Sequence, residues 1–163
     1  MRILVYPHLM EIGGSQLNAI ELASRIARRG HEVVLFAPRG PLVCVAEELG
    51  LDVVPVPREN AWPSVRNGAR LQRLVTERGI EVVHGYEWGP ALDVAFGVES
   101  FGRMGVVTTV LSMSVPHFLP RHSTLVVGTA KLLERQAPRR PGPTLLMEPP
   151  IDTDLNRSRD RPE

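Results

Sequence analysis

Cysteine is almost missing from this 163-residue chain: Cys44 is the only one. A single thiol excludes an intrachain disulfide and a thiolate zinc cluster. Flanked by Leu42, Val43, Val45 and Ala46, it is expected to be a small buried apolar side chain. Lysine is as scarce, with Lys131 alone among arginines, which reads as a codon bias rather than a binding adaptation. Excess charge of either sign is absent too. A formal net charge of +1 leaves no basic field that would call for nucleic acid. The opening apolar run, Arg2–Tyr6, is far too short for a secretory core or a membrane span, so a soluble, cytoplasmic protein is expected. There is no G-x-G-x-x-G, and the second strand ends in Ala37-Pro38-Arg39 without an acidic ribose ligand. The lysine and Ser/Thr of a phosphate-binding P-loop are missing as well. Clustered aspartates at early strand ends, the mark of receiver domains, are replaced by Tyr6-Pro7-His8 and Ala37-Pro38.

What is present is a repeated alternation. Short β-branched runs, Ile3–Tyr6, Val33–Ala37, Val53–Val56, Val82–Gly85, Val106–Leu111, Leu125–Gly128 and Thr144–Met147, do not alternate apolar with polar. Such runs mark strands buried on both faces, as in a parallel sheet. Helical periodicity fills the gaps near Ser15–Arg29, Leu42–Leu49, Ser64–Arg78, Pro90–Arg103 and Ala130–Gln136. The expected fold is α/β and doubly wound, a mainly parallel, Rossmann-like sheet of about seven strands with helices on both faces. In the first helix Ser15 is the expected cap, Glu21 and Arg25 an expected pair, and Gly30 the left-handed residue after the last turn. Leu17, Ile20, Ala23 and Ala27 would face the sheet. Pro138–Pro143 reads as an exposed loop. Residues 1–152 are expected to form one domain, with 153–163 a linker or fraying tail.

In open α/β sheets ligands bind beyond the carboxyl ends of the strands, where strand order reverses. The turn Pro7–Gly14 takes that position after the first strand. Gly13 and Gly14 remove two β-carbons there, so backbone amides at a helix N-terminus can come close to a phosphate.

Gly13-Gly14-Ser15-Gln16 opening a helix, then Arg29-Gly30-His31-Glu32-Val33 and Glu81-Val82-Val83-His84, resemble the start of the retaining GT-B glycosyltransferases of family 4. Thr129-Ala130-Lys131-Leu132-Leu133 and Glu148-Pro149-Pro150-Ile151-Asp152-Thr153-Asp154 continue the resemblance to the crossover into a second domain. The resemblance implies a two-lobed enzyme whose N-terminal lobe mainly holds the acceptor and whose C-terminal lobe mainly holds a nucleotide-sugar donor. This chain would be the acceptor lobe, completed by a C-terminal lobe in cis or in trans. The resemblance assigns Gly13 and Gly14 to the donor diphosphate and Gln16 to the hydroxyl acceptor, with no metal or cofactor. Members carry a histidine just beyond the fifth strand. Here Thr108-Thr109-Val110-Leu111-Ser112-Met113 has none: either His117 reaches back from the next loop to take the catalytic role, or the site lacks that side chain, and Ser112 is an acceptor contact. The family's donor-binding Glu-x7-Glu pair has no counterpart, since no two glutamates stand eight apart.

Read from the residues alone, His8, His84 and His117 fall near carboxyl ends of strands and suit the polar lining of a sugar cleft better than a metal site. His31 precedes the second strand and reads as structural. In Gly85-Tyr86-Glu87-Trp88-Gly89-Pro90, Trp88 offers an apolar face to a sugar ring and Glu87 a carboxylate to its hydroxyls, although Trp88 packing a helix start is an equal reading. Arg66, Arg70 and Arg73 form a basic stripe. It reads first as a solvated face and second, with Trp62 ahead of it, as a peripheral contact with an anionic membrane. Two other functions stay open: a non-catalytic partner module of a split transferase, and an unrelated Rossmann-like ligand-binding domain.

Overall fold

The computed structural model describes residues 1–57, 62–99 and 104–149. The expected crossover beyond Pro149, the tail at 153–163 and the last residues of the fourth helix lie outside them.

Seven strands form one sheet: β1 (Arg2–Tyr6), β2 (Glu32–Pro38), β3 (Asp52–Val56), β4 (Val82–Tyr86), β5 (Gly105–Val110), β6 (Thr124–Val127) and β7 (Thr144–Leu146). Their order is β3-β2-β1-β4-β5-β6-β7, and every neighbouring pair is parallel. Successive β1 side chains alternate between two cores, because a strand sends neighbouring residues to opposite faces. Ile3 and Val5 meet Ile20 and Ala23 of α1 (Gly14–Arg28) and Leu42 and Ala46 of α2 (Leu42–Glu48). Leu4 and Tyr6 meet Leu71, Leu74 and Val75 of α3 (Val65–Arg78) and Val94 at the end of α4 (Trp88–Val94). Helix α5 (Ala130–Gln136) covers the far side of the sheet through Leu132, packed with Val110, Leu125 and Val127. Helices on both faces make the sheet doubly wound, as the apolar runs predict.

Ser64 caps α3 by accepting from the Asn67 amide at 3.2 Å, and Thr129 caps α5 by accepting from Leu132 at 3.3 Å. Gly30 takes φ 86° and Gly79 φ 58° just past their helices, a conformation that costs glycine little. Glu21 and Arg25 pair at 2.6 Å on the exposed side of α1.

Several expectations are corrected. Helix α1 is preceded by Gly13 in extended backbone and has no side-chain cap; the Ser15 hydroxyl bonds elsewhere. Leu17 points to solvent, because the buried face of α1 runs through Gln16, Ala19, Ile20 and Ala23. Cys44 is exposed: the inward positions of α2 are Leu42 and Ala46, one turn apart, which turns residue 44 outward. Helix α4 starts at Trp88, two residues before Pro90, and a first-turn proline is tolerated because its missing N–H has no intrahelical partner to lose. A π-helical turn, Ala95–Glu99, follows it directly. The Pro138–Pro143 segment, by contrast, is the mostly exposed connection expected, and it is tied down. Arg140 donates to the carbonyls of Pro120 at 2.6 Å and Ser123 at 3.1 Å, and the Gly142 amide donates to the Arg121 carbonyl at 3.0 Å.

Candidate functional site

Strands β1 and β4 lie side by side at the sheet centre, but the chains leaving them diverge. From β1 the path leads through α1 to β2; the strands beyond β4 build out the other half of the sheet. The crevice expected at such a reversal is present as a cleft of about 770 Å³. His8, Gly14 and Gln16 line one wall, Glu87 and Trp88 the floor, and Ser112 the wall beyond β5.

Glu87 organises this floor. It follows β4 with φ 68°, a left-handed conformation that strains a residue with a β-carbon. The surroundings hold it there. Its amide donates to the Thr109 carbonyl at 2.8 Å, and its carboxylate accepts from three donors on two separate segments. Oε1 takes the Leu111 amide at 3.0 Å and the Ser15 hydroxyl at 3.3 Å; Oε2 takes the Ser112 hydroxyl at 3.1 Å. The carboxylate thus ties the first turn of α1 to the exit of β5 while lining the cleft. This is why Ser15 is not a cap.

The two glycines have different roles. A β-carbon on Gly14 would meet nothing within 4 Å, so its backbone faces open cleft. One on Gly13 would stand 2.5 Å from Gln16 Oε1, so the bare Gly13 makes room for the Gln16 amide. That side chain is buried, and its Nε2 lies 3.5 Å from the His8 Nε2. The first amides of α1 have no intrahelical acceptors and no side-chain cap.

Both tryptophans of the chain border the cleft. Trp62 and Trp88 meet edge to face at 6.4 Å, and Trp62 also contacts Tyr6 at 6.2 Å. Trp62 is therefore a half-buried wall residue, which corrects its expected place as an apolar anchor ahead of the arginine stripe. Arg66, Arg70 and Arg73 are exposed on α3, and Arg73 pairs with Glu77 at 2.7 Å.

The three histidines part company. His8 lines the cleft. His84 lies inside the sheet, its Nε2 2.7 Å from the Thr109 hydroxyl and its ring stacked on Tyr86 at 4.6 Å. Burial pushes its pKa down to about 4, so it is a neutral core residue and not cleft lining. Burial likewise raises the Tyr86 phenol, whose hydroxyl donates to Asn18 at 3.1 Å. His117 is not brought to the cleft. The chain after β5 turns away at Ser112, and His117 borders a separate cavity on the far side of Phe118.

Sequence reasoning missed Ser15 and Trp62 as cleft residues, and the buried bracing behind them. Asp93 on α4 accepts from the Tyr6 hydroxyl at 2.9 Å and the Ser64 amide at 2.6 Å, while Asn67 donates to Tyr6 at 3.2 Å. The only signal for that brace was the presence of polar residues on helix faces otherwise expected to be apolar. Among the described residues no three His, Cys, Asp or Glu side chains gather as a metal site, and no helix is long and apolar enough to cross a membrane.

The sequence model of Glycosyltransferase Family 4 matches residues 12–142. A glycosyltransferase from Rickettsia africae ESF-5 superposes with a TM-score of 0.74 at 16% identity over 94% of this chain. Anabaena HepE, crystallised with UDP and glucose, superposes with a TM-score of 0.68 at 17% identity over 95%. The chain spans 44% and 46% of those two structures' lengths. No curated protein matches it in sequence.

Proposed function

Since the chain belongs to Glycosyltransferase Family 4, we propose that it is the acceptor-side lobe of an enzyme moving a sugar from a nucleotide-sugar donor to an acceptor hydroxyl. One observation carries this reading: a single cleft unites a bare helix N-terminus at Gly14 with a clamped carboxylate at Glu87 and two indole faces. The uncapped amides of α1 suit a diphosphate. The oxygens of Glu87 suit sugar hydroxyls, which donate well to a charged acceptor. The Trp62 and Trp88 rings supply the apolar surface that a sugar ring covers. That HepE holds UDP and glucose supports a nucleotide sugar as donor.

Gln16 and Ser112 would contact the acceptor beside Glu87. No lysine or arginine is among the residues lining the cleft. Charge developing on the leaving diphosphate therefore finds helix amides but no cation here, and a complete enzyme would supply that cation from another lobe.

Both tryptophans line the cleft, so intrinsic fluorescence reports on it alone. The full chain would be titrated with UDP, with UDP-glucose and with glucose. A saturable change with UDP that Gly14→Leu weakens by about tenfold or more, as its side chain fills the approach to the α1 amides, is the expected result. No saturable change, or full affinity in Gly14→Leu, would remove the assignment.

A further inference from the structure

A second cavity, of about 300 Å³, opens where the β5–β6 connection meets the end of α5 and the Ala137–Arg139 turn. Its polar lining is His117, Arg121, Arg135, Gln136, Arg139 and Arg140, with no carboxylate among the lining residues. Four arginines thus converge on one concavity from two segments of chain, Arg121 from the β5–β6 connection and Arg135, Arg139 and Arg140 from the end of α5 and the turn after it. None of them forms an ion pair among the described residues, whereas Arg25, Arg73 and Arg78 each do.

We propose that this cavity binds a phosphate group, independently of what the tryptophan-lined cleft holds. Arg140 is its fixed point. The guanidinium is half-buried and its Nη2 is anchored on the Pro120 and Ser123 carbonyls, while its buried Nε has no acceptor. Burial and the nearby charge of Arg121 both disfavour its cation, and Glu99 only partly offsets them. An anion in the cavity would supply the missing acceptor. Helix-dipole compensation accounts for one cation at the end of α5, not for four. The planar fork of arginine matches tetrahedral phosphate oxygens in pairs, and the His117 imidazole adds another donor.

The phosphate can be a free ion or part of a larger molecule. His117 contacts Phe118 at 5.5 Å and Phe118 contacts Trp88 at 5.9 Å, so a single aromatic ridge separates this cavity from the sugar cleft. A phosphorylated sugar lying over Phe118 would touch both.

The test is calorimetric titration of the full chain with inorganic phosphate and with glucose 6-phosphate at low salt, following tryptophan fluorescence in parallel. Wild type and Arg121→Ala/Arg135→Ala would be compared. Both substituted side chains are exposed, so the variant is expected to keep the wild-type melting curve. Saturable phosphate binding, weakened about tenfold or more in the variant, is the expected result. Tighter binding of glucose 6-phosphate with a fluorescence change identifies a phosphate carried on a sugar. Equal affinities with silent tryptophans identify a free ion, and both support the cavity. No saturable binding to wild type, or wild-type affinity in the variant, would overturn the proposal whatever the cleft is found to bind.

Discussion

Glu87 carries strain, burial and three accepted hydrogen bonds at once, and variants at this one position separate those contributions. In Glu87→Ala the Leu111 amide, bonded at 3.0 Å, loses its acceptor, while the Ser15 and Ser112 hydroxyls can turn to water in the cleft. Stranding one part-buried amide costs about 1–3 kcal/mol. A chain of this size changes its melting temperature by roughly 2–4 °C per kcal/mol, so a fall of about 5 °C is expected. Glu87→Gly loses the same bonds but relieves φ 68°, and should regain about 1 kcal/mol of that loss.

Glu87→Gln should behave differently, for a reason legible in the local bonding. The Ser112 hydroxyl has one proton and two acceptors at 3.1 Å, Glu87 Oε2 and the Ser114 carbonyl. With an amide nitrogen in place of Oε2, that nitrogen donates to Ser112 Oγ, and Ser112 donates to Ser114. The amide oxygen keeps Leu111 and Ser15. Stability should therefore stay within about 1 kcal/mol of wild type, while sugar binding weakens about tenfold as a charged acceptor becomes neutral. Circular-dichroism melts at neutral pH, paired with fluorescence titration, read both quantities. If Glu87→Ala melts with wild type, or Glu87→Gln falls as far as Glu87→Ala, the clamp does not work as described.

Three further outcomes are expected. His84 has a pKa of about 4 when folded and about 6.5 when unfolded, so the unfolded chain binds the extra proton and stability is lost as pH falls between those values, by up to about 3 kcal/mol. Urea unfolding from pH 7 to 4 checks this, and His84→Gln, which keeps a partner for Thr109, should flatten that limb. Gly97→Ala should destabilise by about 1–3 kcal/mol, because its β-carbon would stand 2.6 Å from the Gly68 Cα where α3 meets the turn after α4; equilibrium unfolding matching wild type would contradict that close approach. The purified chain should show no measurable turnover of a nucleotide sugar, since no cation lines its cleft; sustained product formation in a radiolabel-transfer assay would refute this.

The strands were legible because their chemistry is one-dimensional. Val33–Ala37 or Val82–Gly85 can hide that much apolar surface only in a sheet covered on both sides, and β2 and β4 sit there. Gly30 was legible because a left-handed residue after a helix leaves a local mark. Side-chain destinations were less so. Ser15 had the composition of a cap, but a carboxylate 72 residues along the chain takes its hydroxyl. Leu17 had the spacing of a core residue, yet the face of α1 that meets the sheet runs through Gln16, Ala19, Ile20 and Ala23 and leaves it outside. Cys44 and Trp62 failed for the same reason, since which way a helix or loop residue turns is decided by its tertiary neighbours. His117 depended on the path of a loop, and Ser112 marks where that path leaves the cleft.

That division has a consequence for the charge. Basic and acidic residues nearly cancel over the whole chain, yet they are unevenly placed around its two cavities. Around the cleft the formal charge is the Glu87 carboxylate, held among neutral donors; around the second cavity it is four arginines. A uniform surface of alternating sign would attract neither a sugar nor an anion strongly. Here the carboxylate suits hydroxyl donors on one side of Phe118, and the guanidinium forks suit oxyanions on the other. With Glu87→Gln and Arg121→Ala/Arg135→Ala in one chain, each site should weaken by its own factor and no more if the two bind separate ligands. A single ligand whose affinity falls with both changes would mean that it bridges the ridge, because only such a ligand loses contacts on either side of Phe118.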